Sequence, residues 1–163
     1  MNFVKIESSS LSNGTGWRVV LWCSGCEHHC YNCHNKETWN PEFGKKFTEK
    51  EMNLILELLS KDYIQGLTFS GGDPLFPGNR VTVARIARRV KEAYPDKDIW
   101  MYTGYNYEDV KNLPVMEDVD VLVDGKYINS LRDVSLPFRG SSNQRIIDVQ
   151  KSRSLSPVVL LYE

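Results

Sequence analysis

The stretch WRVVLWCSGCEHHCYNCH, residues 17–34, begins as a strand and ends as a cluster of soft ligands. Apart from Arg18, residues 17–22 are β-branched or apolar over a strand's length. The twelve residues that follow hold four cysteines and three histidines, and the chain has no other Cys or His. A strand that runs straight into such a loop is the start of an architecture whose chemistry lies at strand ends, so the remaining sequence is read for further units of that kind.

Five more strand-length runs follow: GLTFS (66–70), DIWMY (98–102), VDVLV (119–123), QRIIDV (144–149) and PVVLLY (157–162). Helical patterns separate the first four strands. In FTEKEMNLILELLS (47–60), Thr48 and Glu51 have capping-box spacing and the apolar residues then recur at helical period. In NRVTVARIARRVKEAY (79–94), Val83, Ile86, Ala87 and Val90 share one stripe, which leaves Arg85, Arg88, Arg89 and Lys91 as a solvated face. NYEDVKNL (106–113) is a third, shorter helix. Alternation of this kind predicts right-handed βαβ units around a sheet.

A closed eight-fold barrel takes about 250 residues. This chain has 163, enough for one buried core. The expected fold is therefore a single α/β domain over 1–163, a partial, laterally open (β/α) barrel of about six mostly parallel strands, with residues 1–16 as a lead-in segment. An incomplete barrel leaves one side free for a large substrate.

The 20 basic residues nearly balance 21 acidic ones, so no overall basic field draws the chain to nucleic acid or to a membrane surface. No run reads as a signal peptide or a membrane span, which predicts a cytoplasmic protein. Reducing conditions there make Cys23, Cys26, Cys30 and Cys33 metal or redox ligands rather than disulfide partners.

Each of the first four strands ends in glycine and polar residues: the cysteine loop, SGGDP (70–74), TGY (103–105) and DGK (124–126). TGY and DGK taken singly read as turns. In SGGDP, paired glycines permit close backbone approach to a ligand and Asp73 adds a carboxylate for a cationic partner. Cys26, Cys30 and Cys33 fall in the order C-x3-C-x2-C, with Cys23 one further x2 step upstream. Structural zinc sites set a long segment between their cysteine pairs, whereas the corners of an iron-sulfur cubane accept closely spaced thiolates.

The cysteine spacing, followed by a glycine-rich GG-acid-P after the next strand, resembles the radical S-adenosylmethionine superfamily. More narrowly, RVVLWCSGCEHHCYNCHN, GLTFSGGDPL, MYTGY, VLVDGKY and FRGSSNQRIID resemble the family of activating proteins of anaerobic ribonucleoside-triphosphate reductases. The resemblance implies that Cys26, Cys30 and Cys33 ligate one 4Fe-4S cluster. It implies an open iron chelated by the amino and carboxylate groups of S-adenosylmethionine. Gly71, Gly72 and Asp73 would hold the methionine amino group, and Thr103, Gly104, Asp124 and Lys126 would lie along the methionine or ribose. The superfamily often has an aromatic residue just before the last cysteine; here that residue is Asn32, with Tyr31 one step earlier, so with Tyr31 and Asn32 as candidate contacts either Tyr31 takes the packing role on adenine or adenine recognition differs locally. Cys23 lies outside the motif.

By the same resemblance, reductive cleavage of S-adenosylmethionine would give a 5′-deoxyadenosyl radical that makes a glycyl radical on the large subunit of the reductase, with an electron donor such as flavodoxin. Two rival readings stand beside it, a zinc-stabilised binding module using all four cysteines and an activase of another glycyl-radical enzyme of formate-lyase type. His28, His29 and His34 read as polar loop residues beside the cluster. Residues 138–147 read as part of the site or as a docking element.

Overall fold

The computed structural model describes residues 1–155 and 158–162. Its strands are β1 (Asn2–Ser10), β2 (Trp17–Cys23), β3 (Lys45–Lys46), β4 (Ile64–Gly71), β5 (Asp98–Tyr102), β6 (Val121–Asp124), β7 (Arg145–Asp148) and β8 (Leu160–Tyr162). The helices are α1 (Glu49–Leu59), α2 (Arg80–Ala93), α3 (Tyr107–Val110) and α4 (Val149–Ser152). All eight strands join one sheet in the order β3-β1-β2-β4-β5-β6-β7-β8.

The pairings β2–β4, β4–β5 and β5–β6 are parallel, as the strand-helix alternation requires. The flanking pairs β1–β2, β1–β3, β6–β7 and β7–β8 are antiparallel. The expected open α/β architecture is present, but its six mostly parallel strands are corrected to a mixed sheet of eight, which is not closed. After β6 the chain returns as an antiparallel strand with no crossover helix, and the end strands β3 and β8 do not meet.

The lead-in expected over 1–16 is corrected as well, because β1 occupies most of it. Its polar composition hid it: of Asn2–Ser10 only Phe3 and Ser10 are buried. The strand is held by its register on β2, which pairs Phe3 with Cys23 and Ser10 with Arg18. Pro157, the first residue of the last expected strand, lies outside the described residues.

Period-two alternation gives the central sheet two different faces. Val19, Leu21, Leu67, Phe69, Ile99, Met101 and Leu122 point to one face and form the main core with Met52, Ile55 and Leu59 of α1 and Val83, Ile86, Ala87 and Val90 of α2. Full burial of each such aliphatic side chain contributes about 1.5–3 kcal/mol. The α1 capping box forms as expected: Thr48 N–H donates to Glu51 Oε2 at 2.8 Å, and the Thr48 hydroxyl accepts from the helix backbone.

The opposite face carries Arg18, Thr68, Trp100, Val121, Val123 and Ile146, and the loops before β2 and β7 cover it. Phe138 packs edge-on to Trp100 at 5.4 Å. Arg18 is completely buried there: Nε donates to Thr68 Oγ1 at 2.7 Å, Nη2 pairs with Asp98 Oδ1 at 2.6 Å, and the guanidinium lies 5.5 Å from the Trp100 ring centre. Its remaining donors go to backbone carbonyls, Nη1 to Thr15 O at 3.0 Å and Nη2 to Leu67 O at 3.0 Å, so the buried charge is paired and hydrogen-bonded. Among the described residues no helix is long and apolar enough to cross a membrane.

Candidate iron-sulfur site

Beyond β2 the chain folds over the carboxyl ends of the parallel strands. Gly25 N–H donates to Thr38 O at 2.7 Å, Cys26 N–H to Trp39 O at 3.3 Å, and Asn79 Nδ2 to Ser24 O at 2.7 Å. The loop then turns twice through left-handed backbone at non-glycine residues, His29 (φ 47°) and Asn32 (φ 59°). These positions flank Cys30, and such conformations persist only where the surroundings impose them. His29 meets the imposition by stacking on Trp39 at 4.5 Å. The outcome is that Cys26, Cys30 and Cys33 all line one cavity of about 210 Å³, together with Ser70, Gly71, Gly72, Tyr102, Thr103, Gly104 and Gly125.

Cys23 does not join them. It ends β2 inside the hydrophobic core with no exposure, and burial pushes its thiol far above the usual range. Burial also raises the Cys26 thiol, to about 11, and raises Cys30, where nearby Lys126 opposes the shift. Three partly desolvated thiols on one cavity become thiolates when a cationic centre compensates them. Among the described residues no three Cys, His, Asp or Glu side chains already close around the place of a single ion. Three soft donors spread round a shared cavity fit a multi-iron group, whose corners take one thiolate each.

The glycines of SGGDP have a local cause. Gly71 has φ +103°, and a Cβ there would fall 2.5 Å from both N and O of Cys23; at Gly72 a Cβ would meet Gly25 O at 2.6 Å. Gly72 N–H donates to Cys23 O and Asp73 N–H to Gly25 O, each at 2.8 Å. The close approach that these glycines allow is therefore to the cysteine loop itself, while both still line the cavity. Asp73 is 1% exposed and lies beneath it, bonded to Thr103, Gly104, Leu75 and His28.

Of the other expected site residues, Asp124 and Lys126 do not line this cavity, although Gly125 between them does. The buried Asp124 carboxylate accepts from Tyr107 N–H at 2.8 Å and pairs with Arg145. Asn32 faces a neighbouring cavity of about 490 Å³, which also reaches Cys30 and Cys33. Tyr31 is 76% exposed and lines neither.

The aromatic side chain common to both cavities is Tyr127, which the sequence reading passed over. Ser70 and Tyr102 were also missed. Strand phase could have found them, since each is on the face opposite the buried Phe69 and Met101. Gln144, within the stretch 138–147, lines the cysteine cavity and braces it: Nε2 donates to Gly125 O at 3.0 Å and Oε1 accepts from Gly140 N–H at 3.0 Å.

The profile of the 4Fe-4S single cluster domain family matches residues 12–147. The anaerobic ribonucleoside-triphosphate reductase-activating protein of Enterobacteria phage T4 is 47% identical over 146 residues, covering 90% of this chain and 93% of that protein. This chain belongs to that family of activating proteins. Its members include the proteins of that name from Escherichia coli K12, 40% identical over 148 residues (88% of this chain, 96% of that protein), and from Pasteurella multocida, 41% identical over 152 residues (90% and 96%). The matched family profile spans the cysteine loop, SGGDP, TGY and DGK.

Proposed function

We propose that the chain activates the large subunit of an anaerobic ribonucleoside-triphosphate reductase by radical S-adenosylmethionine chemistry, in the cytoplasm and with a low-potential electron donor such as flavodoxin. The observation that carries the proposal is the convergence of Cys26, Cys30 and Cys33 on one cavity while Cys23 is held apart in the core. A zinc module built on all four thiols would need Cys23 in the same place.

Cys26, Cys30 and Cys33 would hold a 4Fe-4S cluster and leave one iron open. The chemistry such a cluster would supply is the single electron needed for reductive cleavage of S-adenosylmethionine, which would release methionine and lead to a glycyl radical on the reductase. The chain's own residues bind and orient. Backbone groups of Gly71 and Gly72 face the cavity and suit the methionine end, with Thr103 and Gly104 as the adjoining wall. The neighbouring cavity of about 490 Å³, lined by Asn32 and Tyr127, suits the adenosine, with the Tyr127 ring as its aromatic surface.

The test is 5′-deoxyadenosine formation by anaerobically reconstituted protein given S-adenosylmethionine, a strong one-electron reductant and the reductase. Product from the native protein and none from Cys26→Ser is expected. A full load of iron and sulfide with no product in the presence of the reductase would refute the proposal.

A further inference from the structure

His28 lies between Cys26 and Cys30, and its side chain is 13% exposed. Its Nε2 is 2.6 Å from Asp73 Oδ2. The same carboxylate accepts from Leu75 N–H at 2.8 Å, from Gly104 N–H at 2.9 Å and from the Thr103 hydroxyl at 3.0 Å. An ionised carboxylate has about four acceptor positions. Three donors thus occupy the carboxylate from the β4 and β5 ends, and the remaining acceptor position faces His28 Nε2, to which an Nε2–H donates.

Asp73 thus joins three strand-end loops through one buried group, and His28 is the donor that the cysteine loop contributes. The neighbours are shaped for that ring. A Cβ on Gly104 would fall 2.6 Å from His28 Nε2, and the Tyr105 ring meets the imidazole edge-on at 4.5 Å. We infer that His28 is a positioning residue: through Asp73 it sets the height of the Cys26–Cys30 span above Gly71, Gly72 and Thr103, and so the spacing between the cluster and the S-adenosylmethionine methionine end. The inference rests on the functional reading above. It also gives the Asp73 carboxylate an organising task.

The experiment compares wild type, H28F and H28Q after anaerobic reconstitution. H28F keeps a ring of similar size without the donor, and H28Q returns an N–H at comparable reach. Iron and sulfide per chain are measured first; S-adenosylmethionine is then titrated into the reduced protein while the change in the electron paramagnetic resonance spectrum of the cluster is followed. Loss of a hydrogen-bond partner behind a metal site typically costs about 10–100-fold. H28F is expected to raise the half-saturating S-adenosylmethionine concentration at least about tenfold, and H28Q to return it to within about threefold of wild type.

A wild-type value for H28F overturns the inference. So does an H28Q value as poor as that of H28F, which would assign the effect to ring packing. Wild-type protein that takes up no iron and sulfide would instead overturn the functional reading on which the inference rests. Should H28F not fold, H28L, which also fills the space without a donor, is expected to raise the half-saturating concentration by a similar factor; an unchanged value there refutes the inference.

Discussion

Cys23 and Cys26 are three residues apart, and their environments predict opposite consequences for the same substitution. Cys23 has no exposure and packs within the main core, where a serine hydroxyl would be buried among apolar side chains. A buried hydroxyl without a partner costs about 1–3 kcal/mol. With a urea dependence of about 2 kcal/mol per molar, a cost of about 2 kcal/mol lowers the unfolding midpoint of the cluster-free protein by roughly 1 M. Cys26 is half-buried on the cavity wall, and Cys26→Ser should leave that midpoint within about 0.5 kcal/mol of wild type. Reconstitution should reverse the ranking: Cys23→Ser retains the wild-type iron and sulfide content per folded chain, and Cys26→Ser loses most of it. The assay pairs urea unfolding of cluster-free protein with iron and sulfide analysis of reconstituted protein. If Cys23→Ser unfolds like wild type yet fails to load iron, the assignment of ligands argued from burial is wrong.

Arg18→Met should destabilise the chain by about 2–3 kcal/mol in urea; that is less than the roughly 3–5 kcal/mol of a fully enclosed pair because Asp98 is 28% exposed, and an unchanged midpoint would refute the role of the buried pair. The cluster-free protein should lose stability as pH rises from about 9 towards 11. Its unfolded Cys26 thiol ionises near the ordinary value of 9.0 and the folded one only near 11, so across that window the unfolded state binds fewer protons; Cys23 is shifted in the same direction. Urea midpoints rising across that interval would contradict the sign. Gly71→Ala should cost at least about 1–3 kcal/mol from its φ of +103° alone and should also reduce iron uptake, since the added methyl group presses on Cys23; wild-type loading and stability would refute the close-approach argument.

Local chemistry made much of this molecule legible. Short, nearly continuous apolar runs marked β2, β4, β5 and β6, which are buried on both faces, and helical period marked both long helices, which bury one stripe. The capping box at Thr48 and Glu51 is likewise a contact between near neighbours in the chain. Cysteine spacing and the glycine-rich strand ends pointed to Cys26, Cys30, Cys33, Gly71 and Gly72, all of which line the cavity.

What depended on distant pairing was not legible. The strand β1 has too few buried residues to show a repeat and exists by virtue of its pairing with β2, and the antiparallel return of β7 makes the sheet mixed where mostly parallel strands were expected. Tyr127 and Gln144 reach the cavity only because the loop between β6 and β7 folds back over it, and Asp124, at a strand end like the others, is turned instead to Arg145. The His28–Asp73 bond spans 45 residues. Residue types and local spacing determined which ligands and helices this chain can form; tertiary structure decided which side chains share a cavity, because hydrogen bonds and packing between distant segments have no period in the sequence.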